Sequence, residues 1–491
     1  MNFLSKYQNW AWVMLFIPIY LFIFLKLGSA HIRLWDEGWF TVHAIEMLQN
    51  GSWFTSYFDG VPSFKSSKPP IQTWLQMGSI SLFGLSELSL RLPSAIAAAA
   101  TVFSIYFFVS RHSTVRQGLM SSMILLTSVG YVGFHTARGA EADSLLTLTL
   151  VLQAICLYEF LLRSEWKWFY GFALCLAISF WVKSVAGFLF LPGFAIFIAV
   201  YRRDKMLNLI RSKQLWIAVA GVISAVLAFL IIRENVQPGY LAMFLKSNAG
   251  RYAKSVGHDH GWDYYLKQML DGRYHWWMVI AVIGFASSLL EQNADNLLSI
   301  FASVVAISFL AVISFSRSKL LWYDMPFYPM AAIPAAAFIE RIVKNRSFKY
   351  SLTAVVLVFF FPSYVMFSNS QSNRLNLGEL NFESQEIYLS ESFHKGESLD
   401  GLIVVHDHFH GSLLFYKYKY ASSGQELVLQ NHVNDLKVGD EVLVRGDEHK
   451  TELQSKFHLE KIDEKYSAIH YKITEFLLDN PVENEVNSIR R

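Results

Sequence analysis

The chain has 491 residues, of which 53% are hydrophobic and 16% are charged, and its formal net charge is +3 at pH 7. An average soluble domain carries about 25% charged residues, so this composition excludes an ordinary soluble protein. The shortage of charge is concentrated in residues 1–370, which predicts a polytopic α-helical membrane protein with a soluble tail. Cys156 and Cys175 both lie in apolar segments, and two cysteines exclude a metal site built from cysteine ligands.

The apolar segments predict about eleven transmembrane helices, since one crossing takes roughly 20 residues. The first segment lacks a small-residue cleavage site after it, so it is predicted to be a retained helix and not a signal peptide. Residues 71–84 are apolar but short, and Gln72 and Gln76 within them favour an interfacial or re-entrant segment. The predicted spans lie near 10–28, 92–110, 117–134, 143–161, 167–182, 185–201, 214–232, 275–290, 297–314, 321–339 and 349–367.

The distribution of basic residues predicts the orientation. With a cytoplasmic N-terminus, the short basic loops all fall on the inner side, as the positive-inside rule requires. These loops contain Arg111, Arg116, Arg163, Lys167, Arg202, Arg203, Arg341 and Arg346. The long 233–273 loop then lies outside, together with the tail, and in a bacterium the membrane is the inner membrane and the tail is periplasmic.

The sequence pattern of the tail predicts a separate small domain. Short strand-like runs occur at 401–406, 413–420, 441–445 and 469–476, each bounded by turn residues. We therefore expect a transmembrane domain over 1–369 and a small extracytoplasmic α/β domain over 370–491, with interfacial helices in the first outer loop.

Two adjacent carboxylates, Asp36 and Glu37, follow the first predicted span. They open a stretch with helical spacing of apolar residues, which predicts a helix lying in the membrane interface. Asp36 at this depth is a candidate catalytic group, while a helix cap explains its position equally well.

Further polar residues gather in the other predicted outer loops. Lys68 stands where an ammonium can bind a phosphate or anchor the chain at the interface. Arg138, Glu141 and Asp143 occupy a span boundary, where ionisable residues indicate a functional site or a solvated hairpin tip. Lys183 lies alone between two apolar segments and either snorkels or faces a headgroup phosphate.

Two later groups have the same double interpretation. Arg317, Lys319 and Tyr323 suit a lipid phosphate or interfacial anchoring. His258 and His260 could bind a divalent metal, although two histidines at this spacing are a weak signal and a hydrogen-bonded loop is the commoner outcome. His406, His408 and His410 alternate along the tail and are interpreted as surface residues.

The ordered motifs of the first hundred residues resemble the GT-C membrane glycosyltransferases. The resemblance is strongest to the bacterial branch containing the aminoarabinose (lipid A) transferases and the protein O-mannosyltransferases. It rests on Trp35-Asp36-Glu37-Gly38, Asn50-Gly51-Ser52-Trp53, Asp59-Gly60-Val61-Pro62, Lys68-Pro69-Pro70 and Arg91-Leu92-Pro93-Ser94. It extends more loosely through 138–143, 181–187 and 317–329.

The resemblance implies inverting transfer of a sugar from a polyprenyl phosphate to lipid A, a glycan or a protein. It implies Asp36 as the catalytic aspartate, Asp143 as a second acidic position and Glu37 as a common neighbour without the base role. Lys68 would contact the donor phosphate, and Arg317, Lys319 and Tyr323 match a further phosphate-contacting region. Arg138 is a further candidate for that contact.

One position departs from the aminoarabinose transferases, which usually have glutamate where this chain has Ser67. That glutamate is a proposed metal ligand paired with a histidine of the long outer loop. His258 or His260 could be this histidine, but its partner is missing. No cofactor is therefore expected to be required, and both a divalent metal and lipid A as the acceptor are in doubt.

We expect Asp36 to take the acceptor proton, with burial beside Trp35 and Trp39 raising its pKa from the ordinary value of about 3.9. A transporter or flippase is the alternative function. Such proteins place ionisable residues near the bilayer midplane within repeated halves, whereas the charges here cluster at one face and no repeat is visible. A binding or assembly protein acting through its tail and an oligosaccharide ligase also remain open.

Overall fold

The computed structural model describes residues 8–63, 68–133, 135–253, 259–291, 296–344, 377–406 and 409–477. The first helical segment combines a 3-10 helix, Gln8–Leu15, an α turn, Phe16–Ile19, and a π turn, Tyr20–Phe24. The first outer loop then holds α1, Asp36–Gln49, a hairpin of β1, Tyr57–Phe58, and β2, Val61–Pro62, and α2, Ile71–Phe83.

The remaining membrane part is a bundle of helices. In chain order it comprises α3, Glu87–His112; α4, Val115–Leu126; α5, Val129–Val132; α6, Asp143–Arg163; α7, Trp166–Lys183; α8, Leu191–Tyr201; α9, Arg203–Arg211; α10, Lys213–Val236; α11, Tyr240–Ala253; α12, Tyr264–Gln268; α13, Trp276–Leu290; α14, Leu297–Phe315; and α15, Phe327–Lys344. Short 3-10 helices, Ser184–Phe188 and Leu321–Asp324, and a π turn, Met269–Arg273, interrupt the series.

Every predicted span except 349–367, which lies outside the described residues, coincides with helical residues. Five described helices are long and apolar enough to cross a membrane, and their bounds are Glu87–His112, Asp143–Arg163, Trp166–Phe188, Lys213–Val236 and Leu297–Phe315. The protein is therefore a multi-pass helical membrane protein, while the total of about eleven crossings stays a prediction.

The apolar but short α2 shows why the 71–84 segment carries glutamines. The amide of Gln72 donates to Ser94 Oγ at 3.0 Å, and that of Gln76 donates to the carbonyl of Ala140 at 2.8 Å. Both side chains are fully buried. Since a buried amide needs partners, these bonds attach α2 to α3 and to the loop before α6.

The tail forms an α/β unit, as predicted, with α16, Leu377–Phe382, α17, Ser384–Lys395, α18, Gly411–Ser422, and α19, Asp447–Lys456. Its strands are β3, Ile403–Val405, β4, Val428–Gln430, β5, Glu441–Arg445, β6, Phe457–Lys465, and β7, Ala468–Phe476. The sheet order is β4-β3-β5-β7-β6, with β3 parallel to β4 and β5 and the other pairs antiparallel.

The strand predicted at 413–420 is wrong, because these residues belong to the helix α18. Leu413, Leu414, Phe415, Tyr416 and Tyr420 are all buried. An apolar run of this length does not separate a buried strand from a buried helix by its periodicity, and packing against the rest of the protein decided for the helix.

The tail and the first outer loop share one hydrophobic core. Ile32, Ala44 and Leu90 of the membrane part pack in the same cluster as Leu413 and Tyr420 of the tail. Gly38 makes the close approach possible, because a Cβ there would lie 2.8 Å from the amide nitrogen of Ser412. The division at 369/370 falls outside the described residues and stays a prediction.

A buried ion pair joins the two parts at the same interface. Lys419 Nζ on α18 lies 2.6 Å from Glu87 Oε2 at the start of α3, and both side chains are almost completely buried. Removing one member of such a pair leaves the other charge buried without compensation, at a cost of about 3–5 kcal/mol.

We predict that Lys419→Met lowers the free energy of unfolding by about 3 kcal/mol or more. The measurement is denaturant unfolding of the detergent-solubilised protein. The double variant Glu87→Gln/Lys419→Met removes both charges and should recover most of the loss. Equal stability of the single variant and the wild type would contradict a structural role for this pair.

Candidate active site

A cavity of about 1000 Å³, including its open mouth, lies where the first outer loop meets the ends of α6 and α7. Its polar lining includes Lys68, Asp143, Lys183, Asn248 and Tyr323, together with four serines. Its apolar lining includes Leu146, Val185, Leu189 and Ile313. A cavity with an apolar wall and a few convergent charged groups is the usual form of a small-molecule site.

Asp36 and Lys68 form an ion pair at this cavity. Lys68 Nζ donates to Asp36 Oδ1 at 2.9 Å, and the ammonium also lies 4.3 Å from the ring centre of Phe40. Asp36 is the first residue of α1, and the residue in the N-cap position, Trp35, makes no side-chain cap bond. The contact brings together the two residues that the sequence favoured most, and the carboxylate of Asp36 is held by Lys68.

The expected rise in the pKa of Asp36 is not what the structure shows. Burial by itself would raise this pKa, but the Lys68 ammonium beside the carboxylate outweighs it, with help from Lys183 and His135, and the pKa falls to about 2. Asp36 is therefore ionised, and its charge is neutralised by a lysine that another anion could compete for.

A second ion pair joins Asp143 to Lys183. Lys183 Nζ donates to Asp143 Oδ1 at 2.5 Å and lies 5.1 Å from the ring centre of Tyr323. Asp143 is the first residue of α6 and Lys183 is the last residue of α7. The short turn after α6 pairs the two helices antiparallel, so these two ends lie side by side. This contact explains why Lys183 has no charged neighbour in the sequence, since its partner lies 40 positions earlier in the chain.

A third pair, His135 with Glu141, stands beside the other two. His135 Nδ1 lies 2.5 Å from Glu141 Oε1, and its ring stacks on Trp322 with centroids 4.2 Å apart. Burial would lower the pKa of His135, but the Glu141 carboxylate raises it above the ordinary value. Sequence reasoning missed His135, because its only local signal is the acidic residue six positions later.

Glu37 faces away from its neighbour Asp36. Its carboxylate is completely buried and accepts from Arg91 Nε at 2.7 Å, from the amide of Arg33 at 2.9 Å and from the amide of Ala140 at 2.9 Å. With these bonds it holds α1 against α3 and the loop before α6. These contacts favour a positioning role for Glu37, to which the family resemblance gives no base role.

Arg138 and Lys319 are also occupied by the protein itself. Arg138 Nη1 donates to the carbonyls of Ile23 at 2.9 Å and Leu25 at 3.0 Å, so it caps the last turn of the first helical segment. Lys319 Nζ donates to the carbonyl of His260 at 2.8 Å and is buried. Both residues, expected to contact the donor phosphate, thus donate to backbone carbonyls in this structure, and their contact with phosphate stays a prediction.

Arg317 and Tyr323 differ in their relation to the cavity. Arg317 is exposed, and the cavity lining includes its neighbours Ser316 and Ser318 but not Arg317 itself. Tyr323 does line the cavity. Of the cluster predicted at 317–323, the structure therefore places Tyr323 where a ligand could contact it.

The histidines predicted as metal ligands are not joined by further ligands among the residues that the structure describes. His260 is exposed and stacks on Tyr264 with ring centroids 4.2 Å apart, and His258 and Ser67 lie outside the described residues. Within the described parts of the chain, no three His, Cys, Asp or Glu side chains form a group that could hold a metal ion.

Comparisons with known proteins agree with this fold. Residues 67–232 match the family described as dolichyl-phosphate-mannose-protein mannosyltransferase. The chain is similar to the undecaprenyl phosphate-α-4-amino-4-deoxy-L-arabinose arabinosyl transferase of Aeromonas hydrophila, with 25% identity over 73% of this chain and 68% of that protein. An uncharacterised protein of Aquifex aeolicus is 25% identical over 70% of this chain and 68% of its own length.

Solved structures share the fold. ArnT from Cupriavidus metallidurans, bound to undecaprenyl phosphate, superposes with a TM-score of 0.69 over 94% of this chain and 98% of that chain, at 14% identity. The oligosaccharyltransferase of Archaeoglobus fulgidus gives 0.53 over 88% and 65%, at 10% identity. The chain therefore shares the fold of these membrane enzymes, and the matches support a place among the GT-C membrane glycosyltransferases. Within that class, this chain is similar to the aminoarabinose transferases and protein mannosyltransferases.

We predict that Lys68→Ala raises the pKa of Asp36 from about 2 to above its ordinary value, because burial then acts with one opposing cation fewer. Infrared difference spectra recorded during a pH titration follow the protonated carboxyl band. Asp36→Asn identifies the band, and Lys395→Ala in the exposed part of the tail should leave it unchanged. An unaltered titration in Lys68→Ala would show that Lys68 does not control Asp36.

Proposed function

We propose that this protein transfers a sugar from a polyprenyl-phosphate carrier to an acceptor at the outer face of the plasma membrane. The observation that carries the proposal is the Asp36–Lys68 ion pair at the cavity, 2.9 Å between charged atoms. It places a carboxylate, which can take a proton, beside a cation, which can bind a phosphate. The names of the similar proteins supply the substrate class, a polyprenyl-phosphate-linked sugar.

The donor phosphate would be bound by Lys68 and Lys183, since both ammonium groups line the cavity. Each ammonium is now held by a carboxylate, so the phosphate would compete with Asp36 for Lys68 and with Asp143 for Lys183. Tyr323 lies beside Lys183 and can add a hydroxyl donor. Hydrogen bonds that involve a charged group contribute about 1.5–3 kcal/mol each.

Competition for Lys68 would also activate Asp36. When the phosphate draws the ammonium away, burial remains and the pKa of Asp36 rises, which turns it into a better base. The acceptor oxygen then attacks the anomeric carbon while its proton passes to Asp36. The bond from that carbon to the phosphate oxygen breaks, and the electron pair leaves with the polyprenyl phosphate. Attack opposite the leaving group inverts the anomeric configuration.

In this proposal, the role of Asp143 is to position Lys183. It holds Lys183 at the cavity before the donor arrives, and its carboxylate discourages anions that bind more weakly than a phosphate. Glu141 and His135 form the third pair, and His135 and Lys183 both act on the charge of Asp36. The three pairs balance positive and negative charge in the absence of donor. Buried charges persist where they are paired.

The two ends of α6 support the proposed orientation. Its first residue, Asp143, lies at the cavity, and its 21 residues span about 30 Å at 1.5 Å each. Near its other end, Glu159 contacts His112 at 2.8 Å and Arg163 at 2.5 Å. Basic residues thus collect opposite the cavity, which supports a cytoplasmic N-terminus and a periplasmic cavity and tail in a bacterial inner membrane.

A transporter or flippase is not favoured. The charged pairs lie together at one end of the bundle, where a membrane-facing enzyme needs them, instead of near the midplane. An oligosaccharide ligase uses the same donor chemistry, so it is a variant of the proposed function that differs in its acceptor.

We predict that Asp36→Asn lowers the rate of sugar transfer by about 10²–10⁴-fold, the usual contribution of a general base. The gene is deleted, complemented with the variant, and envelope glycans, glycoproteins and lipid A are compared by mass spectrometry. Asp204→Asn on α9 is the control, because it changes an acidic residue of the opposite side. Wild-type product from Asp36→Asn would refute the catalytic assignment.

We predict that Lys68→Met and Lys183→Met each weaken binding of undecaprenyl phosphate by about 10-fold or more, in line with one lost charged hydrogen bond. The measurement is thermal stabilisation of the detergent-solubilised protein by undecaprenyl phosphate. Lys319→Met, which removes a lysine held by backbone carbonyls, should retain the affinity. Loss of affinity in Lys319→Met alone would move the phosphate site to the 317–323 cluster.

A further inference from the structure

Four aromatic rings stack beside the proposed active site, and we call them the aromatic platform: Trp35, Trp39, Phe58 and Phe409. Phe409 lies at the centre, with its ring centroid 5.5 Å from Trp35, 5.5 Å from Trp39 and 5.4 Å from Phe58. The interplanar angles to Phe409 are 9°, 22° and 27°. Three of the rings come from the first outer loop and the fourth from the tail.

The outermost ring, Trp35, is held in an unusual backbone conformation. Its φ angle is +68°, a region that costs a bulky residue about 1–3 kcal/mol and persists where the surroundings enforce it. Its side chain is nonetheless 59% exposed. The protein thus keeps a strained tryptophan, next to Asp36 in the chain, with one face covered by Phe409 and much of its surface open.

The supports of the platform are rigid. The loop that carries Phe409 sits on Gly38, where a Cβ would lie 3.1 Å from the carbonyl carbon of Gly411. The hairpin that carries Phe58 is fixed by Glu46, whose carboxylate accepts from the amides of Asp59 at 2.9 Å and Gly60 at 3.0 Å. The rings are therefore placed by backbone contacts from both parts of the protein.

Polar groups border the rings. Asp59 Oδ2 lies 3.4 Å from His410 Nε2, and the His410 ring contacts Phe58 with centroids 5.5 Å apart. Asp36 follows Trp35 directly in the chain and begins the helix that carries Trp39. Flat apolar faces beside hydrogen-bonding groups match the two surfaces of a sugar ring, whose C–H bonds present positive hydrogens to the negative face of an aromatic ring and whose hydroxyls need polar partners.

We propose that the aromatic platform is a saccharide-binding subsite, in which Trp35 stacks on a sugar ring of the acceptor next to Asp36. The proposal rests on the proposed function, because it places this ring on the outer side of Asp36 while the lysines hold the donor phosphate at the cavity. Simple anchoring in the membrane interface explains an exposed tryptophan, but it requires neither the backbone strain of Trp35 nor a fourth ring from the tail.

The test uses the full chain in detergent and a panel of methyl glycosides of hexoses, hexosamines and pentoses. Saturation-transfer NMR, with irradiation of aromatic protons, reports contact with sugar ring protons. We expect transfer to at least one glycoside, an affinity at least tenfold lower in Trp35→Ala and Phe409→Ala, and partial recovery in Phe409→Tyr. Trp53→Ala is the matched control, since Trp53 is an outer-loop tryptophan with the same 59% exposure outside the platform.

The outcomes separate this proposal from the proposed function. Undecaprenyl phosphate should still stabilise Trp35→Ala and Phe409→Ala, which also shows that they are folded. Absence of transfer in the wild type, persistence of transfer in both alanine variants, or equal loss in Trp53→Ala would overturn the subsite. Failure of undecaprenyl phosphate to stabilise the wild type would overturn the proposed function instead. Displacement of the glycoside by an undecaprenyl-phosphate-linked hexose would assign the platform to the donor sugar and overturn the acceptor assignment.

Discussion

The ion pair between Glu37 and Arg91 is the contact on which the outer face of this protein depends. Arg91 Nε and Nη2 donate to the two carboxylate oxygens at 2.7 and 3.0 Å, and both side chains are buried. Arg91 also donates to the carbonyls of Leu27, Ala30 and His31, which follow the first helical segment. Burying these charges is tolerated because every strong donor and acceptor finds a partner, and the result is a fixed junction of α1, α3 and the chain between them.

This junction separates two neighbouring carboxylates into two functions. Glu37 faces inward and is consumed by structural bonds, including one to the amide of Ala140 near the start of α6. Asp36 instead pairs with Lys68, which lines the cavity and is open to competition from an anionic ligand. Because Glu37 links α1 to the segment that carries Glu141 and Asp143, it also fixes the distance between the three ion pairs. In the proposed reaction, Asp36 is thus positioned by Glu37, which has no chemical step of its own.

The tail belongs to the same construction. Its helix α18 shares a hydrophobic core with α1 and α2, and Lys419 is buried against Glu87 in the first turn of α3. Phe409 then reaches the rings beside Asp36. A tail that only projected into solvent would need none of these contacts, so the tail is part of the structure that surrounds Asp36.

The sequence by itself determined the membrane class, the apolar helices, the helix beginning at Asp36 and the choice of Asp36, Lys68 and Asp143, since composition, helical spacing and ordered motifs are local properties of the chain. It did not determine the partners of these groups. Asp36 and Lys68 are 32 positions apart, and Glu87 and Lys419 are 332 apart, so only packing could decide that they meet. Arg138 and Lys319 were predicted to contact phosphate, and only the fold shows that they donate to backbone carbonyls. The apolar run at 413–420 was predicted as a strand, and it forms a helix that packs on α1. The local sequence shows which charged groups are present. The tertiary structure decides which of them are held by structural partners and which can exchange their partner for a ligand. The reason is that the partners of a charge come from distant parts of the chain and meet only in the fold.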